Sequence, residues 1–439
     1  MESRRVVITS VGAISPLGLT SEDLWTGLIE GRCGIDRIRS FDPVNLPCQI
    51  AGEVPDYKIR DYVPKSYRKA TKLMCRDIEL SVIAADGAMR NSGLVSKAVD
   101  PDNVTLISER TAIDFGSGII SCDLPEIAPS VAVSAVNGKF DMRKWGKEGL
   151  ETVTPLWLLK YLPNMLPCHI GIIHDIQGPS NTITCGEVSS HIALTEAAEM
   201  IQRNHADAAL AGGGEAKVNP LLMVRQCLLK RSTFAGNDNP KSACRPFDKE
   251  AAGSVFGEGA GVLMLEEYTC AKQRGARILA EFLGGASSCT AMDSYISMKD
   301  GSGLETAIQA ALQQAGISPD QLDLIIPHGT GIPRDDQVEA ATLQKILGDA
   351  VETVPVWPIK GQVSHTGSAS GAMDMITAVL AMKNGTIGAA YNFKAPTQGC
   401  TLNIPKTPIQ KEIKHVLCCG YSYGGQTAAV VLRHVEETK

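Results

Sequence analysis

The stretch Gly178-Pro-Ser-Asn-Thr-Ile-Thr-Cys185-Gly-Glu187-Val-Ser-Ser-His-Ile-Ala-Leu194 decides how this chain is read. A short β-rich run enters a glycine turn and continues into an amphipathic helical pattern over His191–Arg203. An apolar run, Ala208–Ala211, follows and stops at Gly212-Gly213-Gly214. Strand, turn, helix and strand in this order are the repeat unit of a layered α/β protein. A side chain at the start of such a helix faces orphan N–H groups and the positive end of the helix dipole. That setting activates a thiolate, stabilises an oxyanion or holds a carboxylate charged.

The same texture extends in both directions. Val6–Ile8, Val104–Ile107, Gly261–Leu265, Ile278–Phe282, Leu322–Ile326 and Ala428–Leu432 read as buried strands. Arg76–Arg90, Gly303–Ala315 and Val338–Leu347 read as helices. Glycine clusters at Gly212–Gly214, Gly257–Gly261 and Gly424-Gly425 mark tight turns at strand ends. No GxGxxG sits between a strand and a helix, so nothing supports a dinucleotide site. The pattern from Val6 to Ala13 is echoed from Ile278 to Ala286. Two similar halves, residues 1–270 and 271–439, are expected. Residues 123–151 lack periodicity and read as a loop insertion on the surface or at a dimer edge, with a lid or docking loop as the functional alternative.

Composition bounds the function. The chain has 439 residues, a net charge of −6, 44% hydrophobic and 21% charged residues. These values describe a globular protein with a large core. The acidic balance argues against nucleic-acid binding. No run approaches the roughly 18 apolar residues of a membrane span. The N-terminus reads as a first strand rather than a leader, so a cytoplasmic protein is expected. The 13 cysteines are scattered, without the paired spacings of a metal site, and read as reduced thiols. No metal is expected.

Two histidines stand out. His328 follows the strand Leu322–Ile326 and precedes Gly329-Thr-Gly331; His365 lies in Lys360-Gly-Gln-Val-Ser-His365-Thr-Gly367. Glycine-rich loops at strand ends are where α/β proteins place chemistry. Paired imidazoles donate hydrogen bonds to an enolate or carboxylate that develops in a transition state. The other six histidines, His191 included, read as surface or structural. The turn Cys419-Gly-Tyr-Ser-Tyr423-Gly424-Gly425 offers backbone N–H groups to an oxyanion.

Taken in order, these motifs resemble those of the β-ketoacyl-acyl-carrier-protein synthases, the condensing enzymes of type II fatty-acid and polyketide synthesis. The resemblance runs from Val6–Gly12 and Ser15–Gly18 through Gly178–Ser180, Ala211–Glu215, Arg245–Asp248 and Gly257–Gly261 to His328–Gly331, Lys360–His365 and Tyr423–Gly425. It implies a thiolase-type fold, with duplicated halves stacked as five layers, αβαβα. It implies an acyltransferase that meets its substrates on an acyl carrier protein and works as a homodimer or as a heterodimer with a ketosynthase paralogue. Phosphopantetheine would arrive on the carrier protein, and no further cofactor is implied. By resemblance, His328 and His365 are the catalytic histidines, Lys360 supports them, and Asp336 and Glu339 are the acidic pair that follows the first. Tyr423, with Gly424 beside it, supplies the oxyanion donor and gating aromatic. Lys65, Arg68, Lys69 and Lys72 are a candidate basic helix face for the acidic carrier protein, weighed against an ordinary solvated face.

The nucleophile departs from the pattern. Counted without gaps, the family's cysteine position falls on Glu187. Cys185 lies two residues earlier, on the strand side of the turn, where it is expected to face away. A carboxylate is a poor acyl acceptor from a thioester, because the mixed anhydride formed is high in energy. Three readings stay open. One is decarboxylation of malonyl thioesters, or an atypical decarboxylative condensation, without an acyl-cysteine. Another is a silent partner resembling a chain-length factor. The third is an ordinary synthase altered at that single position. In the first reading an ionised Glu187 would repel the malonyl carboxylate unless it is protonated or paired. A thiolase acting on coenzyme A esters shares the fold, and the two-histidine pattern argues against it.

Overall fold

The computed structural model describes residues 4–290 and 300–435. Its first half runs through β1 (Val6–Ile14), α1 (Arg76–Ser92), β2 (Thr111–Ser117), β3 (Ser180–Ile183), α2 (Ser189–Gln202), β4 (Ala208–Ala216), α3 (Pro220–Leu228) and β5 (Glu258–Glu267). The second half runs through β6 (Ala280–Cys289), α4 (Ser302–Ala315), β7 (Leu324–Ile326), α5 (Pro333–Leu347), α6 (Ser370–Asn384), β8 (His415–Tyr421) and β9 (Gln426–Arg433).

The nine strands join in the order β7-β8-β9-β6-β1-β5-β4-β2-β3. The seam between the halves is the antiparallel pair β1–β6, with Val6 opposite Phe282. Outward from that seam each half places its first strand, then its last, then the one before it, then its second. The first half adds β3 at the edge; the second has there only the parallel bridge Ile325–Val356. The echo between Val6–Ala13 and Ile278–Ala286 therefore corresponds to equivalent strands that pair with each other.

Helix α1 covers one sheet face on the first half and α4 covers one on the second, while α2 and α6 pack against each other between them. This is the layered thiolase-type arrangement. Strands read as unbroken apolar runs because both faces are covered. In β5, Val262 and Met264 enter the core under α1, whereas Leu263 and Leu265 enter the central one. In β9, Val430 and Leu432 join the same central core and Val431 the core on the α4 side. Helix α6 is buried from Ser370 through Met382. A helix enclosed on all sides carries no polar stripe, which is why periodicity does not reveal it.

Some expectations fail. Val104–Ile107 is not a strand; Val104 and Ile107 are exposed, and the strand is β2. Asp114 and Gly116 interrupt the apolar pattern of β2, although every residue in it is buried. The 123–151 segment is not a loop: it forms a helix over Leu124–Val133, a small hairpin and further helical turns. Pro125 and Pro129 hide the helical pattern in sequence, and Trp145 Nε1 donates to the buried Ser130 Oγ at 2.6 Å to tie the segment together. Lys65, Arg68, Lys69 and Lys72 are exposed, but they lie in and around two short 3₁₀ turns, Lys65–Tyr67 and Ala70–Leu73, which form no continuous helix face. No helix among the described residues is long and apolar enough to cross a membrane.

Candidate active site

Glu187 sits where the chain turns from β3 into α2. Gly186 makes that turn at φ +62°, a conformation that favours glycine, and a Cβ there would meet Ser422 at 3.1 Å. Ser189 locks the turn: its Oγ accepts from the Cys185 N–H at 2.9 Å and donates to the Gly186 carbonyl at 2.6 Å. The Glu187 side chain is 1% exposed, and neither of its oxygens has a hydrogen bond within the chain. Its nearest cation is not Lys360. Arg231 Nη2 lies 3.6 Å from Glu187 Oε1, and Arg231 Nη1 lies 3.4 Å from Asp335 Oδ2. All three side chains are buried, with one guanidinium shared between two carboxylates. The Arg231 guanidinium also lies 5.1 Å from the Tyr423 ring centre, and Arg225 donates to the Tyr423 hydroxyl at 2.6 Å.

The histidine side is organised differently. The His328 and Gly329 N–H groups donate to the two Glu339 oxygens at 2.7 and 2.8 Å. Asp336 accepts from the N–H groups of Thr330, Gly331 and Phe247. Burial pushes Glu339 up to about 8 and Asp336 up to about 7, against those bonds. Lys360 Nζ lies 3.1 Å from Asp374 Oδ2. His365 follows Ser364, a non-glycine residue at φ +63°, a conformation of the kind found at functional sites. The strained turn fits only because two neighbours are glycine: a Cβ on Gly257 or Gly52 would collide with Ser364 Oγ, at 1.9 and 2.2 Å.

His365 Nδ1 accepts from the Gly367 N–H at 3.2 Å. This places its ring proton on Nε2, which has no partner within the chain. The His365 ring lies 4.9 Å from Phe256 and 5.2 Å, edge-on, from His328, whose own nitrogens are also without partners. Burial, reinforced by the charge of Lys360, holds both imidazoles well below 6.5. Both are neutral near pH 7 and able to donate rather than repel.

A cavity of about 520 Å³ opens beside Glu187 and is also lined by Cys185, Tyr161, Tyr423 and Gly424. His328, His365 and Lys360 do not line it. Cys185 is among the residues that line this cavity, and burial raises its thiol pKa, which disfavours the thiolate. The Gly424 N–H is engaged by Ser422 Oγ at 3.3 Å. Met223 and Phe256 are core residues, Phe256 as the partner of His365.

Sequence reading missed three groups. Arg231 and Asp335 complete the Glu187 chain of charges. Lys217 pairs with Glu215 at 2.6 Å; burial works against its charge, yet Glu215 and Glu187 hold its pKa above the ordinary lysine value. His191, taken as a bystander, is fully buried one turn after Glu187, and burial and Lys360 lower its pKa to about 3. A Cβ on Gly371 would lie 2.2 Å from its Nδ1, so only glycine there leaves room for the ring.

Comparisons with known proteins give the family. The sequence profile described as "Beta-ketoacyl synthase, N-terminal domain" matches residues 3–271, and "Beta-ketoacyl synthase, C-terminal domain" matches residues 279–394. The chain belongs to the β-ketoacyl synthase family. A curated member, 3-oxoacyl-[acyl-carrier-protein] synthase 2 of Vibrio harveyi, is 31% identical over 100% of both chains. A solved structure described as the ishigamide ketosynthase/chain length factor matches with TM-score 0.84 at 26% identity, over 99% of this chain and 100% of its own. A β-ketoacyl synthase from Burkholderia phymatum STM815 matches with TM-score 0.86 at 25% identity, again over 99% and 100%. Membership makes this a ketosynthase homologue of fatty-acid or polyketide synthesis, from an enzyme family, with Glu187 standing in the turn between β3 and α2.

Proposed function

We propose that this protein decarboxylates malonyl groups presented on an acyl carrier protein, or couples that decarboxylation to an atypical condensation, without forming an acyl-cysteine. The observation that carries the reading is the pair of neutral, edge-on imidazoles with unpartnered nitrogens, backed by Lys360. In this reaction the bond between the malonyl α-carbon and its carboxylate breaks. Carbon dioxide leaves, and the electron pair passes to the thioester carbonyl as an enolate. His365 Nε2–H and His328 donate hydrogen bonds to that enolate oxygen, and the α-carbon then takes a proton to give an acetyl thioester. The Tyr423 N–H is the backbone oxyanion donor of the site. Arg231 weakens the objection that Glu187 would repel the malonyl carboxylate, because it places a cation behind Glu187, shared with Asp335.

The carrier protein brings phosphopantetheine, and the exposed Lys65, Arg68, Lys69 and Lys72 are the surface offered to it. The halves divide near residue 270, between β5 and β6, and the protein works in the cytoplasm as a homodimer or beside a ketosynthase paralogue. The experiment is intact-mass analysis of malonyl-carrier protein after incubation with the enzyme. Loss of carbon dioxide is the expected result; no loss, with or without a longer acyl thioester, overturns the catalytic reading. A second reading, a silent partner of an active ketosynthase, draws on the buried Glu187–Arg231 pair in the nucleophile turn, and co-purification of a cysteine-bearing paralogue would favour it.

A further inference from the structure

The turn that orients His365 is anchored on a residue of the other half. The ring carries its proton on Nε2 because Nδ1 takes the Gly367 N–H, and at 3.2 Å that bond lies at the long end of the range for such contacts. It does not set the turn by itself. The next N–H along the chain is held far more firmly. Ser368 donates to Glu215 Oε2 at 2.6 Å, a short bond to a carboxylate of the kind roughly twice as strong as one between neutral groups. The Ser368 hydroxyl makes a second tie, donating to the Gly214 carbonyl at 3.0 Å. Gly214 and Glu215 belong to β4, whereas Gly367 and Ser368 lie in the 3₁₀ turn Gly367–Ala369, between His365 and α6.

The Glu215 side chain has little freedom to lie elsewhere. It is 1% exposed, and Lys217 Nζ holds its other oxygen at 2.6 Å. A Cβ on Gly367 would fall 2.0 Å from Glu215 Oε2, and one on Gly118 would fall 2.2 Å from Oε1. The carboxylate therefore fills the space between two glycine backbones. Gly367, at φ +60°, is at once a wall of that slot and the donor to His365. Moving Ser368 away from Glu215 changes the dihedrals of Gly367, and with them the direction of its N–H. An imidazole that loses this donor is free to carry its proton on either nitrogen. We propose that Glu215 is a positioning residue for His365: through the Ser368 N–H it holds the Gly367 turn, and the turn holds the ring with its proton on Nε2. This deepens the reading above, because it rests on His365 donating to the enolate.

The test compares two double variants that differ only in the acceptor. Glu215→Gln with Lys217→Met keeps an oxygen for Ser368; Glu215→Leu with Lys217→Met removes it at similar volume. Neither leaves a buried cation unpaired. The ring is read in proton–nitrogen correlation spectra of protein carrying isotope-labelled histidine, with His365→Ala assigning the signals. The glutamine variant is expected to keep the single Nε2–H tautomer of the parent, and the leucine variant to lose it. In carbon dioxide release from malonyl-carrier protein, the leucine variant is expected to lose about 10²-fold in kcat with KM within about twofold, and the glutamine variant about threefold or less in kcat. A group felt only as charge develops acts on kcat in this way, whereas a general loss of packing affects both double variants alike. Glu215→Asp alone keeps the ion pair but shortens the reach to Ser368, and is expected to move both readouts in the same direction by less. It keeps the proposal testable should the leucine variant not fold, and a parent-like spectrum and kcat in it would then count against the proposal. A single Nε2–H tautomer in a folded leucine variant would overturn the proposal, as would equal kcat in the two double variants or a loss confined to KM. The spectra need no substrate, so they decide the positioning of His365 separately from the malonyl-carrier-protein assay, in which a parent that releases no carbon dioxide overturns the catalytic reading instead.

Discussion

The two sides of the site handle buried charge in opposite ways. In the second half, Glu339 and Asp336 are saturated by backbone N–H groups at hydrogen-bonding distance, and Lys360 faces Asp374. In the first half, Glu187 and Arg231 hold each other at 3.6 Å with no hydrogen bond between them. The backbone-saturated side fixes His328 and His365 in place and leaves only their ring nitrogens to act. The loosely paired side fixes a charge balance but not a geometry, so it is the side on which ligands and substitutions are expected to change behaviour.

That contrast breaks first if the histidines are dispensable. His365→Ala is expected to lower carbon dioxide release from malonyl-carrier protein by about 10²–10⁴-fold, with the melting curve little changed. An unaltered rate would remove the second half from the mechanism. Next comes the charge chain: Arg231→Met removes the cation that lies between two buried carboxylates, Glu187 and Asp335, and is expected to cost about 3–5 kcal/mol in denaturant unfolding. Adding Glu187→Gln and Asp335→Asn to that variant is expected to recover most of the loss, and no recovery would show that packing rather than charge is at stake. Glu339→Gln is expected to be milder, about 1–3 kcal/mol, because one acceptor oxygen is kept while an N–H is left facing an amide. The smallest effect concerns pH. Both imidazoles are held below 6.5, so lowering the pH from 8 to 6 does not charge them, and any change in the decarboxylation rate across that window is expected to follow Glu339 and Asp336, held up at about 8 and about 7, rather than the rings. A drop centred near 6.5 would mean that the rings titrate as exposed histidines do.

Much of this was legible because it is local. Runs such as Val262–Leu265 betray strands buried on two faces, and His328, Lys360, His365 and Glu187 each lie in a short glycine-marked motif. What was hidden depends on distance along the chain. Arg231 stands between Lys230 and Ser232 and reads as a solvated cation; its anion Asp335 lies 104 residues away, beside another aspartate at a helix start. His191 gives no signal because its burial is created by Gly371 and Gly420, which belong to the other half. Helix α6 is too thoroughly enclosed to show a period, and β2 is masked by its aspartate and glycine.

The back-to-back placement of α2 and α6 has a thermodynamic consequence. Leu194 and Ile201 from the first half and Ile376, Val379 and Val430 from the second lie in one central cluster. Neither half owns that core, so neither retains it when the other opens. Amide protons in α2 and α6 are expected to exchange together, at the free energy of global unfolding, and the duplicated halves behave as a single cooperative unit rather than as two domains joined in series.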